Sequence, residues 1–172
     1  GGPAVAVGLA KVSSGMGVNI EYWGYPARAL ADWRAVGPPV ERAMVFGLSR
    51  QESEFDPKAG SHVGAQGLMQ LMPGSAKLIA KQYPPAYEQE CGPGPGGPLR
   101  GELGGPFPLP PPPYKPRPRR SREWVQAHGD PRSGTVDPID WVEMIPFTET
   151  RNYVQKVMQN VHVYRSRLAP KT

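Results

Sequence analysis

The sequence has a single cysteine, Cys91, so no internal disulfide can form and a disulfide-stapled scaffold is excluded. No apolar run approaches the roughly 18 residues that a membrane-spanning helix needs. Histidine is scarce. His62, His128 and His162 show no metal-ligand spacing. They read as surface or packing groups, and neither a metal nor a cofactor is expected. A charged stretch leading into a short apolar one is missing from the first residues, so nothing there reads as a secretory leader. No internal repeat is present. The 172 residues are 38% hydrophobic and 20% charged, which fits one globular domain with a core of its own.

Proline and glycine are abundant, at 23 and 21 residues, but unevenly spread. Between Pro84 and Pro118 lie 13 prolines and 7 glycines. An interior proline costs a helix about 3 kcal/mol, so this stretch does not read as regular helix, and Pro110 to Pro113 read as polyproline II. Positive charge is equally local. Lys115, Arg117, Arg119, Arg120 and Arg122 account for the whole formal net charge of +5.

The other segments carry helical punctuation. Residues 1 to 17 read as small and flexible. Tyr22, Trp23, Tyr25 and Trp33 read as aromatics packing onto a domain. The expected organisation is an N-terminal extension over 1–37 and a domain over 38–172, within which 84–121 is aberrant. The glycine-rich start reads as the edge of a larger parent. Pro38 and Pro39 open a helix whose buried face is Val40, Ala43, Met44, Gly47 and Leu48, with Pro57 as its stop. Lys58 to Gly67 reads as a loop, and Pro73-Gly74-Ser75 restarts a helix. Ser121 to His128 reads as a short helix closed by Gly129, and Asp137 to Pro146 as a turn-rich approach. Thr148 is expected to cap a long last helix, with Glu149 in its first turn. The apolar stripe of that helix is Tyr153, Val154, Val157, Met158, Val161, Tyr164 and Leu168.

Glu52 is the residue with chemical promise. At about 100° per residue it lies about 40° from Leu48, at the rim of the apolar face. It also stands in the last turn, where the helix carries partial negative charge. Partial burial and that dipole end both disfavour the carboxylate and raise its pKa. A carboxyl that keeps its proton near neutral pH can act as a general acid on a glycosidic bond. Taken alone, a helix glutamate reads as a solvated acid. The following stretch changes that reading. Gly60, Gly64 and Gly67 let backbone run close to a ligand. Gln70, inside the apolar run from Leu68 to Met72, needs a polar partner, which a sugar amide or hydroxyl could supply.

The segment Gln51-Glu52-Ser53, then Ser61-His62-Val63-Gly64-Ala65-Gln66-Gly67-Leu68-Met69-Gln70, then Met72-Pro73-Gly74 resembles the signature of the soluble lytic transglycosylase family. Ile145-Pro146-Phe147-Thr148-Glu149-Thr150-Arg151-Asn152-Tyr153-Val154 resembles that family's last-helix block, and Trp141-Val142-Glu143 suits it too. The resemblance covers roughly residues 38 to 168. It implies a mainly α, lysozyme-like (α+β superfamily) catalytic domain acting on peptidoglycan in the periplasm or outside the cell. Glu52 matches the catalytic acid. Ser61, Gln70, Met72, Tyr114 and Glu149 match residues that contact or face the glycan, while Tyr153 reads as core.

The resemblance also implies the chemistry. One glutamate protonates the leaving oxygen of the MurNAc–GlcNAc bond, and the substrate's N-acetyl group stabilises the positive centre. The same group then takes the proton from the muramyl C6 hydroxyl, which closes onto C1. A retaining glycosidase of the ordinary kind uses two carboxyls. Here Glu54, two residues on, points away from Glu52.

The middle departs from the family pattern. Pro113-Tyr114-Lys115-Pro116-Arg117-Pro118 stands where the family has Ala-Tyr-Asn-Ala-Gly-Pro. Landmarks on both sides stay in register, so the expectation is a helix across 101–114 and an altered recorded sequence. Read as authentic, Leu109 to Arg117 resembles a proline-rich ligand for an aromatic-lined groove, and the chain would be an impaired peptidoglycan-binding or interaction module. Nucleic-acid binding through Lys115 to Arg122 lacks aromatic interleaving and a matching fold motif, so no nucleic-acid partner is expected. Hydrolysis, as in goose-type lysozymes, is separated from transglycosylation by the product ends.

Overall fold

The computed structural model describes residues 2–30, 40–82, 118–131 and 133–170. Seven helices run through them: α1 (Pro3–Gly15), α2 (Glu21–Gly24), α3 (Arg42–Ser53), α4 (Pro73–Gln82), α5 (Pro118–His128), α6 (Pro138–Glu143) and α7 (Thr148–Leu168). The β structure among the described residues is two isolated antiparallel bridges, Gly60 with Gln66 and Gln66 with Leu71. The helix expected across 101–114, with Trp33 and Tyr114, falls outside the described residues.

The core is the contact of α3 with α7. Ala43, Val45, Phe46, Gly47, Leu48 and Ser49 are buried on α3. Tyr153, Val157, Asn160, Val161 and Tyr164 are buried on α7. The pairing is antiparallel. Glu41, just ahead of α3, holds Arg165 through two bonds of 2.7 and 2.8 Å. Gly47 lies against Asn160 and Val161. Glu52 meets Tyr153. The rings of Phe46, Phe55 and Tyr164 fill the centre, with centroids 5.1 to 6.3 Å apart.

Helix α3 stops at Ser53, four residues before the expected proline. Glu54 and Phe55 both take left-handed backbone, at φ 54° and 67°. Neither is a glycine, so the turn costs energy that its surroundings must supply. The buried Phe55 ring anchors one residue, and an ion pair from Lys11 to the Glu54 carboxylate holds the other. The amides of Glu54 and Phe55 both donate to the Ser49 carbonyl. The helix therefore reverses directly behind Glu52.

The first 17 residues depart from their expectation. Pro3–Gly15 form α1, because Pro3 suits the opening turn and the glycines lie near its ends or facing outward rather than interrupting a packed face. Val7 and Ala10 are buried. Gly24 of α2 comes so close to Ala10 that an added Cβ would stand 2.8 Å from it. Val5, Leu9, Val12 and Met16 line the opposite side of α1, each more than half exposed. Of the aromatics expected to pack, Tyr25 does, but Tyr22 and Trp23 are exposed.

The last third also differs in detail. The turn-rich approach contains α6, because the Asp137 carboxylate accepts from the amides of Ile139 and Asp140 and caps a short helix that Pro138 opens. Phe147, not Thr148, stands at the cap position of α7. On the apolar stripe Met158 is exposed, while polar Asn160 is buried. Gly129 does close α5, at φ 80°. Its carbonyl accepts from the Trp141 indole at 3.0 Å, tying the end of α5 to α6.

Candidate active site

The site grows from the last turn of α3. Two serines on that turn stitch it to the loop of residues 59–71. The buried Ser49 hydroxyl donates to the Met69 sulfur at 3.3 Å. The Ser53 hydroxyl reaches the Leu68 carbonyl at 2.9 Å and the Ser49 carbonyl at 3.2 Å. Glu52 stands between these two anchors in sequence, half-buried. The loop is itself a closed unit. Gln66 and Leu71 exchange two backbone bonds of 3.0 Å, and the Ser61 amide bonds the Ala65 carbonyl at 2.9 Å.

The other wall is α7. The buried Tyr153 hydroxyl donates to the Glu52 carboxylate. Burial raises the Glu52 pKa above the ordinary carboxylate value. The Tyr153 hydrogen bond pulls it down, and burial wins. The C-terminal end of α3 acts in the same direction as burial. The result is a carboxyl that keeps its proton to higher pH than a free glutamate does, with a donor fixing its orientation. Glu54 is turned away, its carboxylate on Lys11 of α1.

The remaining sequence candidates distribute around this centre. Gln70 is 9% exposed, and its amide donates to the Ala59 and Gly67 carbonyls, both at 3.0 Å. The polar partner sought for it is thus the loop's own backbone, and the residue is a clamp on that loop. The Ser61 hydroxyl accepts from the Ala65 amide at 3.0 Å. Met72 is half-buried, immediately ahead of α4. Glu149 is exposed in the first turn of α7, four residues before Tyr153 and so on the same side of that helix. Tyr114 lies outside the described residues. Among the described residues no group of three His, Cys, Asp or Glu side chains is placed to hold a metal.

Sequence reasoning missed Tyr153, which reads as a core stripe residue. A signal was present. A tyrosine has a polar tip that seeks a partner when buried, and this one follows Glu149 by one helical turn.

The helical fold with a small bridged loop beside the acid is of the lysozyme-like class. The 70 kDa soluble lytic transglycosylase of Escherichia coli superposes with a TM-score of 0.59 at 21% identity, over 98% of this chain and 29% of that one. Residues 31–93 match the Transglycosylase SLT domain family, and residues 144–171 match the Soluble lytic transglycosylase helical domain. The soluble lytic murein transglycosylase of Salmonella typhimurium is 33% identical over 75% of this chain, and that of Escherichia coli K12 is 32% identical over the same share. The putative soluble lytic murein transglycosylase of Haemophilus influenzae is 35% identical over 69% of this chain. The chain thus carries a match to the Transglycosylase SLT domain and is related to the soluble lytic murein transglycosylases over 75% of its own length. It spans about a fifth (21%) of the length of these relatives.

Proposed function

We infer that the chain cleaves the β-1,4 bond between MurNAc and GlcNAc in peptidoglycan and leaves 1,6-anhydromuramyl ends. The observation that carries this reading is one carboxyl, Glu52, half-buried, raised in pKa and held by Tyr153, with Glu54 directed elsewhere. Protonated Glu52 gives its proton to the GlcNAc O4 as the C1–O4 bond breaks. The carboxylate then accepts the proton of the muramyl C6 hydroxyl as O6 bonds to C1. The proton count closes on one residue, and no water is consumed. An internal nucleophile has a high effective concentration, so a second carboxylate to activate water is unnecessary.

In this reading Ser61, Met72 and Glu149 contact the glycan, Gln70 holds the loop that carries Ser61, and Tyr114 is assigned to the glycan by its match to the family motif alone. The setting is the bacterial envelope, periplasmic or exported. No helix among the described residues is long and apolar enough to cross a membrane. The Pro110–Pro113 stretch offers a further partner surface if it meets an aromatic-lined groove.

Mass analysis of muropeptides tests the reaction. Anhydro ends, lighter by one water, are the expected product. Reducing muramic ends mean hydrolysis instead, and no cleavage means a binding module. Tyr153→Phe tests the hydrogen bond. That bond stabilises the ionised form of Glu52, so its loss raises the Glu52 pKa further. The rate declines as Glu52 loses its proton, so the alkaline limb of the pH–rate profile should move to higher pH. An unmoved limb, or one displaced to lower pH, removes Tyr153 from the site.

A further inference from the structure

Two large aromatics stand out of the surface on α2. Tyr22 is 66% exposed and Trp23 is 63% exposed. Isolated exposed apolar side chains are ordinary, but these two are adjacent and held in place. Their rings meet edge to face at 5.6 Å and 85°. The Arg167 guanidinium sits 4.1 Å from the Tyr22 ring centre and pins it from α7. Arg167 makes no ion pair among the described residues, and its buried Nε has no acceptor there. An exposed aromatic pair with a guanidinium charge against it suits a polymer that offers both pyranose C–H faces and acidic groups.

The location is away from Glu52. Arg167 is 14 residues beyond Tyr153 on α7, roughly 20 Å along the helix at about 1.5 Å per residue. The α2 segment is fixed to the other side of α3, where the Arg50 Nε donates to the Gly24 carbonyl at 2.8 Å. Arg50 and Glu52, two positions apart, point in opposing directions. A glycan polymer that extends roughly 20 Å beyond Glu52 spans the distance between the two places.

We propose that Tyr22, Trp23 and Arg167 form a second glycan-contact platform, which holds polymeric, stem-bearing peptidoglycan while Glu52 works at its own site. The proposal rests on the peptidoglycan reading above. A contact that adds to the Glu52 site raises apparent affinity for the polymer through effective concentration and leaves short substrates untouched.

The test separates the two substrates. Sacculus co-sedimentation is measured in a Glu52→Gln background, where no turnover intervenes. Tyr22→Ala/Trp23→Ala should bind sacculi about tenfold more weakly, while the same pair with Glu52 intact should cleave a soluble muropeptide tetrasaccharide within about twofold of the parent. Trp23→Phe should restore much of the binding lost in Trp23→Ala. Arg167→Gln should weaken binding to stem-bearing sacculi more than to glycan stripped of peptide. Unchanged sacculus binding overturns the platform, and so does an equal loss on the tetrasaccharide. Thermal unfolding checks each variant, and the single Trp23→Ala replaces the pair if the latter fails to fold. Should the parent yield no anhydro ends, the reaction reading falls, while the sedimentation comparison still decides the platform.

Discussion

Glu52→Gln is expected to lower turnover of soluble glycan by about a thousandfold or more while glycan binding persists, because one side chain serves as both acid and base. The amide is nearly isosteric, and its oxygen can still accept from Tyr153, so the geometry survives while the transferable proton is lost. The same substitution should change stability with a defined sign. Burial holds the Glu52 pKa in the folded chain above its value in the unfolded chain. The folded state therefore binds more protons in the window between the two values, and stability falls as pH rises through it. The glutamine variant carries no such loss. It should be the more stable protein at neutral pH and lose that advantage below the ordinary carboxylate range. Calorimetric unfolding at acid and neutral pH, paired with product analysis, reads both effects. A variant that keeps turnover, or whose stability relative to the parent is the same at both pH values, removes Glu52 as the buried acid.

The elements legible in the sequence are those whose local signals agree. Helices α3, α4 and α7 carry periodic apolar faces or proline openings, and the place of Glu52 at the rim of α3 follows from helical geometry alone. The parts not legible depend on tertiary context. Helix α1 has glycines at 8 and 15 and almost no charge, and it is held by Val7 and Ala10 packing onto other elements. Helix α6 is six residues long, too short for periodicity, and exists through the Asp137 cap. The end of α3 is set by two left-handed non-glycine residues whose anchors, the ring cluster around Phe55 and Lys11, come from other parts of the chain. Within the site, Tyr153 could not be assigned to Glu52 without the register of two helices whose contacting residues are 101 positions apart. Gln70 reads as a residue in search of a ligand because its true partners, two loop carbonyls, become visible only when the loop closes.

That register depends on Gly47, and Gly47→Val is expected to destabilise the protein by about 3 kcal/mol. A Cβ at this position would stand 2.9 Å from a Val161 methyl carbon and 3.1 Å from the Val161 backbone nitrogen. The first neighbour is a short, stiff side chain and the second is backbone, so neither can yield cheaply. The same contact carries a polar chain. The Asn160 amide donates to the Gly47 carbonyl at 3.3 Å, and Arg50 donates to the Asn160 oxygen at 3.0 Å. Pushing α7 outward stretches both bonds together. For a domain of this size the loss corresponds to a fall of roughly 6 to 12 °C in Tm. Gly47→Ala isolates the steric cost, because alanine restores about 1 kcal/mol of helix propensity. It should still be no more stable than the parent. Activity of the valine variant, measured below its Tm, should fall as well, since Tyr153 sits on the displaced helix. If Gly47→Ala instead gains the full propensity benefit, the helices are not in contact at this residue, and the alignment of Tyr153 with Glu52 must be held by something else.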